Sequence, residues 1–218
     1  MVYRAGAPRF HQLSVAHARR SFAKLQLAFR PDAPAVASTV DIPMRRDDGS
    51  VLFGRMYRPV RSEPRDRLAL LIYFHGGGWC VGDVESYDVL CRELANGAAC
   101  AVLSVDYRLA PEHPFPAALV DAQTAVSWAL DNAEDLAIDP ERIVLGGDSA
   151  GGTLALVTNL EQCRTGARLP KLLLLVYPCT DMESQRPSRK RYEEGYFLDR
   201  ASLEWFFSKY LPDGAAAD

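Results

Sequence analysis

Ser149 lies in GGDSAGG, residues 146–152, and Gly147-Asp148-Ser149-Ala150-Gly151 has the G-x-S-x-G spacing of a serine held on a sharp turn between a strand and a helix. A nucleophilic serine needs a turn tight enough to lift its hydroxyl clear of the backbone. Glycines two residues to either side permit that crowding, and the first turn of the following helix favours negative charge developing nearby. Two other readings of these residues stay open here: a serine that only caps the helix, or a phosphate cradle, although the lysine of a phosphate-binding loop is missing. A second bare stretch, HGGGW at 75–79, follows an apolar run. A carbonyl oxygen becoming an oxyanion needs two or three N–H groups already aimed at it, and side chains would obstruct their approach. Gly76 and Gly77 are expected to supply two of these donors and Ala150 the third. The two stretches together describe acyl transfer through a covalent serine.

Positioning such groups requires a sheet, and the chain has the pattern of one. LALLIYF (68–74) is apolar without alternation, as in a strand covered on both faces. It is followed by CAVLSVD (100–106), a helix from about Pro114 to Asn132, RIVLGGD (142–148), a helix opening at Ser149, and KLLLLVYP (171–178). This alternation predicts an α/β fold with a mostly parallel sheet and helices on both faces. Leu119, Ala122, Val126 and Ala129 mark the buried stripe of the second helix, with Pro114 and Pro116 in its first turn. Upstream, STVDIPM (38–44) and VLFGRMYRP (51–59) flank Asp47, Asp48 and Gly49 and predict an antiparallel hairpin. Val15, Ala18, Phe22, Leu25 and Phe29 recur at helical spacing behind Ser14, which is placed to cap them. After Tyr177 a polar, charged loop precedes a last helix with Leu203, Phe206 and Tyr210 on one face and Asp199 as cap. That helix either pairs with the amino-terminal one above the carboxyl edge of the sheet, where ligands of α/β folds bind, or packs on the back of the sheet.

Composition narrows the partners. The chain has 218 residues, is 48% hydrophobic and carries a formal net charge of −3. Its charges are interspersed, without the basic stripe that nucleic acid requires or a polybasic segment for an anionic membrane. No secretory leader or membrane span is read, so a cytoplasmic protein acting on a small molecule is the default expectation. The five cysteines (80, 91, 100, 163 and 179) have neither CxxC nor zinc-ligand spacing and are read as reduced thiols.

HGGGW (75–79), DYRLAPEHPFPAAL (106–119) and GGDSAGG (146–152) together resemble, in order and spacing, the hormone-sensitive-lipase-like branch of the α/β-hydrolases, which includes many bacterial carboxylesterases. GYFLDRASLEWFFSKYL (195–211) resembles part of that family's cap. The resemblance implies an α/β-hydrolase core at 38–182, with cap elements at 1–37 and 183–218. It implies a carboxylic ester substrate, no metal and no cofactor, with Ser149 as nucleophile and His75 bracing the oxyanion loop. His113 becomes a structural loop residue. Asp106, Arg108 and Glu112 become a polar network supporting the loop, or simply satisfy its backbone groups.

The family's catalytic order is serine, then acid, then histidine. The four histidines here, at 11, 17, 75 and 113, all precede Ser149. Neither Asp181 nor Asp199 falls in a recognisable acid motif, and no triad acid or base is assigned. The resemblance implies that the last two strands are missing, on the order of 80 to 100 residues at roughly 30 per βα unit. The strand at 172–177 is then expected to present an open apolar edge, to be completed by a missing segment or by a second chain. A non-catalytic binding module, as in the plant gibberellin receptors that resemble this family, and an inactive remnant are the rival expectations.

Overall fold

LALLIYF forms β3 (Leu68–Phe74), near the middle of a six-stranded sheet in the computed structural model, which describes residues 8–183 and 186–212. Parallel neighbours flank it: β4 (Ala101–Asp106) and β5 (Ile138–Asp148). Leu70, Ile72 and Phe74 enter one apolar cluster, Leu71 and Tyr73 another. Both faces are covered, so every position of the strand favours an apolar side chain, and the sequence shows no alternation. The full order is β1 (Ser38–Arg45), β2 (Val51–Arg58), β4, β3, β5, β6 (Leu172–Val176). The β1–β2 hairpin and the β2–β4 pair are antiparallel, and the other three pairs are parallel. The strand of 142–148 starts earlier than its apolar run suggests, because Ile138 pairs with Leu68 across a register shift.

Among the described residues six α-helices accompany the sheet: α1 (Val15–Phe29), α2 (Asp88–Ala98), α3 (Ala117–Asp131), α4 (Ala150–Thr165), α5 (Pro187–Arg191) and α6 (Arg200–Tyr210). Ser14 caps α1 by accepting from the His17 N–H, and Asp199 caps α6 by accepting from the Ser202 N–H at 2.8 Å, as their sequence positions suggest. The expected stripe of α1 holds at Ala18, which is buried, and at Phe22 and Leu25, which are half-buried. It ends before Phe29, which is 69% exposed. Helix α3 begins three residues later than predicted. Pro114 and Pro116 lie in the turn before it, and the residue preceding a proline is driven out of the helical region, so Phe115 cannot be helical. Helix α2, in the connection between β3 and β4, is not among the expected elements; it buries Val89, Cys91 and Ala95. The short α5 occupies part of the segment expected to be loop.

Two arrangements position the site. Strands β3 and β5 end side by side, with Phe74 paired to Gly147, so the loop after β3 and the turn after β5 emerge together. A 3₁₀ turn at Phe10–Gln12 then brings Phe10 against Phe206 of α6, ring centroids 5.1 Å apart. Helices α1 and α6 thus both lie over the end of the sheet where those loops emerge, rather than α6 packing on its back.

Candidate active site

Ser149 sits between β5 and α4 with φ 51° and ψ −119°, a strained conformation for a residue with a side chain. Its N–H donates to the Val176 carbonyl at 2.9 Å, and its own carbonyl accepts from the Thr153 N–H at 3.0 Å, so the turn is fixed from both sides. The flanking glycines serve close approach: a Cβ would come within 2.3 Å of the Phe74 carbonyl oxygen at Gly147 and within 1.9 Å of it at Gly151. The first turn of α4 can therefore press against the end of β3. The Ser149 hydroxyl makes no hydrogen bond with a described residue, and the Ala150 N–H opens the helix, where backbone donors lack intrahelical acceptors.

The loop after β3 turns back on itself. Gly77 has φ 120° and Gly78 φ 58°, and Gly77 accepts from both the Cys80 and the Val81 N–H. Side chains are excluded for two reasons, conformation and space: a Cβ on Gly77 would lie 2.1 Å from the Val81 carbonyl oxygen. Gly76 departs from expectation. Its N–H donates to Asp148 Oδ1 at 2.9 Å, so it is already bonded and is not a free donor for an oxyanion. The N–H groups of Gly77 and Gly78 have no acceptor among the described residues.

His75 is fully buried and stacks on Tyr107, centroids 4.3 Å apart. Burial pushes its pKa down, the Nδ1 lies 2.7 Å from the Gly76 carbonyl oxygen, and the Tyr107 hydroxyl donates to the His75 carbonyl at 2.7 Å. A carbonyl can only accept, so the neutral ring carries its proton on Nδ1 and is fastened to its own loop. The other histidines lie elsewhere: His11 reaches Ser202 and Asp199, His17 bonds Ser14, and His113 is on the surface.

Asp106, Arg108 and Glu112, expected either to form one network supporting the loop or to satisfy its backbone groups, serve separate partners. Asp106 closes β4, with its carboxylate near the Val84 backbone and His75, and burial pushes its pKa up. Arg108 bonds the fully buried Asp121 through its backbone and its guanidinium, and Arg46 approaches the same carboxylate at 2.6 Å. Glu112 pairs with Arg19 of α1 at 2.6 Å. Arg19 also donates to the carbonyls of Cys80 and Ala110, so α1 is tied to the end of the glycine loop. Sequence reasoning missed Arg19, Asp121, Tyr73, Tyr87 and Tyr107. It also missed Asp148, although that residue lies inside the motif. The five cysteines are unpaired, and Cys80, Cys91 and Cys100 are buried.

A cavity of about 400 Å³ opens on Ser149. Gly77, Gly78 and Ala150 line its floor, and its walls are mainly apolar, with Phe22 and Leu25 from α1 and Leu203, Phe206 and Phe207 from α6. The α6 helix rests on the glycine loop itself: a Cβ on Gly78 would lie 2.4 Å from the Phe206 ring, and Tyr210 stacks on Trp79 at 4.2 Å. The arrangement joins a strained, accessible serine hydroxyl to free backbone donors in an apolar chamber.

This combination defines a class. The family described as alpha/beta hydrolase fold matches residues 71–218, more than half of the chain, and the chain belongs to that family. Similar proteins are named for ester hydrolysis. An ethyl acetate hydrolase of Pseudomonas putida is 40% identical over 203 residues, covering 92% of this chain and 63% of its own length. An arylesterase of Saccharolobus solfataricus is 36% identical over 97% of this chain and 67% of its own length. Among solved structures, an ester hydrolase from the metagenome of Lake Arreo matches 98% of this chain and 67% of its own with a TM-score of 0.92 and 39% identity. The resemblance to bacterial esterases is therefore met by sequence and by fold. The chain spans 63% of the length of the Pseudomonas putida relative. Among the described residues no helix is long and apolar enough to cross a membrane.

Proposed function

We propose that this chain carries the nucleophile and oxyanion half of a carboxylic ester hydrolase. Ser149 attacks the ester carbonyl, and the N–H groups of Gly77, Gly78 and Ala150 receive the oxyanion of the tetrahedral intermediate. Its collapse breaks the ester C–O bond, the serine's proton goes to the departing alcohol, and the acyl-enzyme left behind is cleaved by water to the acid and free Ser149. His75 braces the loop, and α1 and α6 act as the cap over the acyl chamber. The observation that carries the reading is the convergence on one cavity of a serine at φ 51° with the unpaired N–H groups of the glycine loop. Relatives named as esterases support the substrate class.

A second reading, ligand binding without turnover, draws on a specific observation: none of the four histidines is bonded to Ser149. Labelling with a fluorophosphonate separates the two. The esterase reading expects one adduct, on the peptide containing Ser149, abolished in Ser149→Ala. Saturable binding of a short-chain p-nitrophenyl ester with no covalent intermediate by intact mass, or labelling at another residue, overturns it.

A further inference from the structure

Asp148 is 9% exposed, and its carboxylate faces three hydrogen-bond donors. Its Oδ1 accepts from the Tyr73 hydroxyl and the Gly76 N–H, both at 2.9 Å, and its Oδ2 accepts from the Tyr87 hydroxyl at 3.1 Å. An ionised carboxylate only accepts, so it fits three donors with no misplaced proton, and three such bonds offset the loss of hydration. Burial pushes the pKa of Tyr87 well up and holds that hydroxyl protonated as a donor. Space is reserved for the carboxylate as well. A Cβ on Gly76 would lie 2.3 Å from Asp148 Oδ2 and 3.0 Å from the Tyr87 oxygen, so the first glycine of HGGG admits Asp148 instead of an oxyanion.

The connectivity gives this contact its consequence. Asp148 is covalently joined to Ser149, and Gly76 is covalently joined to Gly77. Beyond the strand pairing that brings the two loops together, the hydrogen bond between Asp148 and Gly76 ties the serine turn to the free donors of the glycine loop. Tyr73, on β3, and Tyr87, before α2, hold the carboxylate from two further elements, so it cannot follow the turn if the turn moves. We propose that Asp148 is a positioning residue that locks the oxyanion loop to the nucleophile turn through Gly76, with Tyr73 and Tyr87 fixing its orientation. The inference deepens the esterase reading of Ser149 and rests on it.

Asp148→Asn, Asp148→Ala and Tyr87→Phe are compared with the unaltered protein by two measurements, after thermal unfolding has shown which variants fold. Hydrogen exchange across residues 75–82 reads the lock directly. In Asp148→Ala these amides are expected to exchange at least about tenfold faster, with β3 and β5 retaining their protection. The saturating rate of fluorophosphonate labelling at Ser149 reads its effect on reactivity. That rate is expected to fall about 10²-fold, the scale of one lost oxyanion donor, with half-saturation changed less than about threefold. Asp148→Asn keeps the shape and one acceptor, so its losses lie between those of Tyr87→Phe and Asp148→Ala. If Asp148→Ala does not fold, the two conservative variants carry the same ordering. Unchanged exchange at 75–82 in a folded Asp148 variant overturns the lock, as does a labelling loss expressed in half-saturation alone. Labelling of the unaltered protein at a residue other than Ser149 overturns the esterase reading instead, while the exchange data still decide whether Asp148 holds the loop.

Discussion

Single residues decide whether the loop can present its donors. Gly77 combines φ 120° with a backbone oxygen 2.1 Å from where a Cβ would stand, so even alanine must displace the turn. Gly77→Ala is expected to lower the saturating labelling rate at Ser149 by about 10²-fold or more, as for loss of an oxyanion donor. Gly49 is the matched control, because it also has positive φ, at 82°, but lies in the β1–β2 turn with nothing within 4 Å. Gly49→Ala should reduce stability by strain and leave labelling of the folded protein unchanged. Equal labelling losses in the two variants would show that general strain, and not the donor, was measured.

Elements are held in register by polar contacts as well as by apolar packing. Asp121 of α3, fully buried, receives the guanidinium of Arg46 from the end of β1 and that of Arg108 from the segment after β4. Burial alone would raise the Asp121 pKa, but the hydrogen bonds from Arg46 and Arg108 outweigh it and the net direction is down. A carboxylate whose pKa is depressed on folding contributes stability above its unfolded value of about 3.9, and that contribution is lost as pH falls through the lower folded value. Denaturant unfolding followed from pH 7 to pH 2 should therefore show a steeper acid loss in the unaltered protein than in Asp121→Asn. At pH 7 that variant is expected to be less stable by about 3–5 kcal/mol, because Arg46 is left buried without its counter-charge. Parallel pH curves for the two proteins would remove Asp121 from the account.

At the scale of the whole molecule, β6 is an apolar edge of the described sheet. It pairs with β5 on one side, no described strand pairs with its other side, and Leu172 is 60% exposed. An unpaired strand with apolar side chains is a template for pairing with another chain, and a charge there opposes it. Leu172→Lys is expected to weaken concentration-dependent association in sedimentation velocity while changing stability by no more than about 0.5 kcal/mol, since little burial is lost. Association equal to that of the unaltered chain would place the contact surface elsewhere.

The sequence by itself determined the elements and the chemistry available to them. Unbroken apolar runs specified strands covered on both faces, Ser14 and Asp199 marked two helix starts, and the glycine spacing around Ser149 required a tight turn. Each is a local rule, written in neighbouring residues. Helix α2 was missed although its apolar positions have helical spacing, and α3 starts later than expected because two prolines that fit a first turn instead occupy the turn before it. Only the tertiary structure decided which backbone donors are free. Gly76 and Gly77 are equivalent in sequence, yet the Gly76 N–H is taken by a carboxylate 72 residues further along the chain, and the Gly77 N–H is not. In the same way Arg108 and Glu112, four residues apart, serve different partners, Asp121 on α3 and Arg19 on α1. A hydrogen bond is satisfied by whatever the fold brings within about 3 Å, and that depends on how β3, β5 and the overlying helices pack, not on the spacing of residues along the chain.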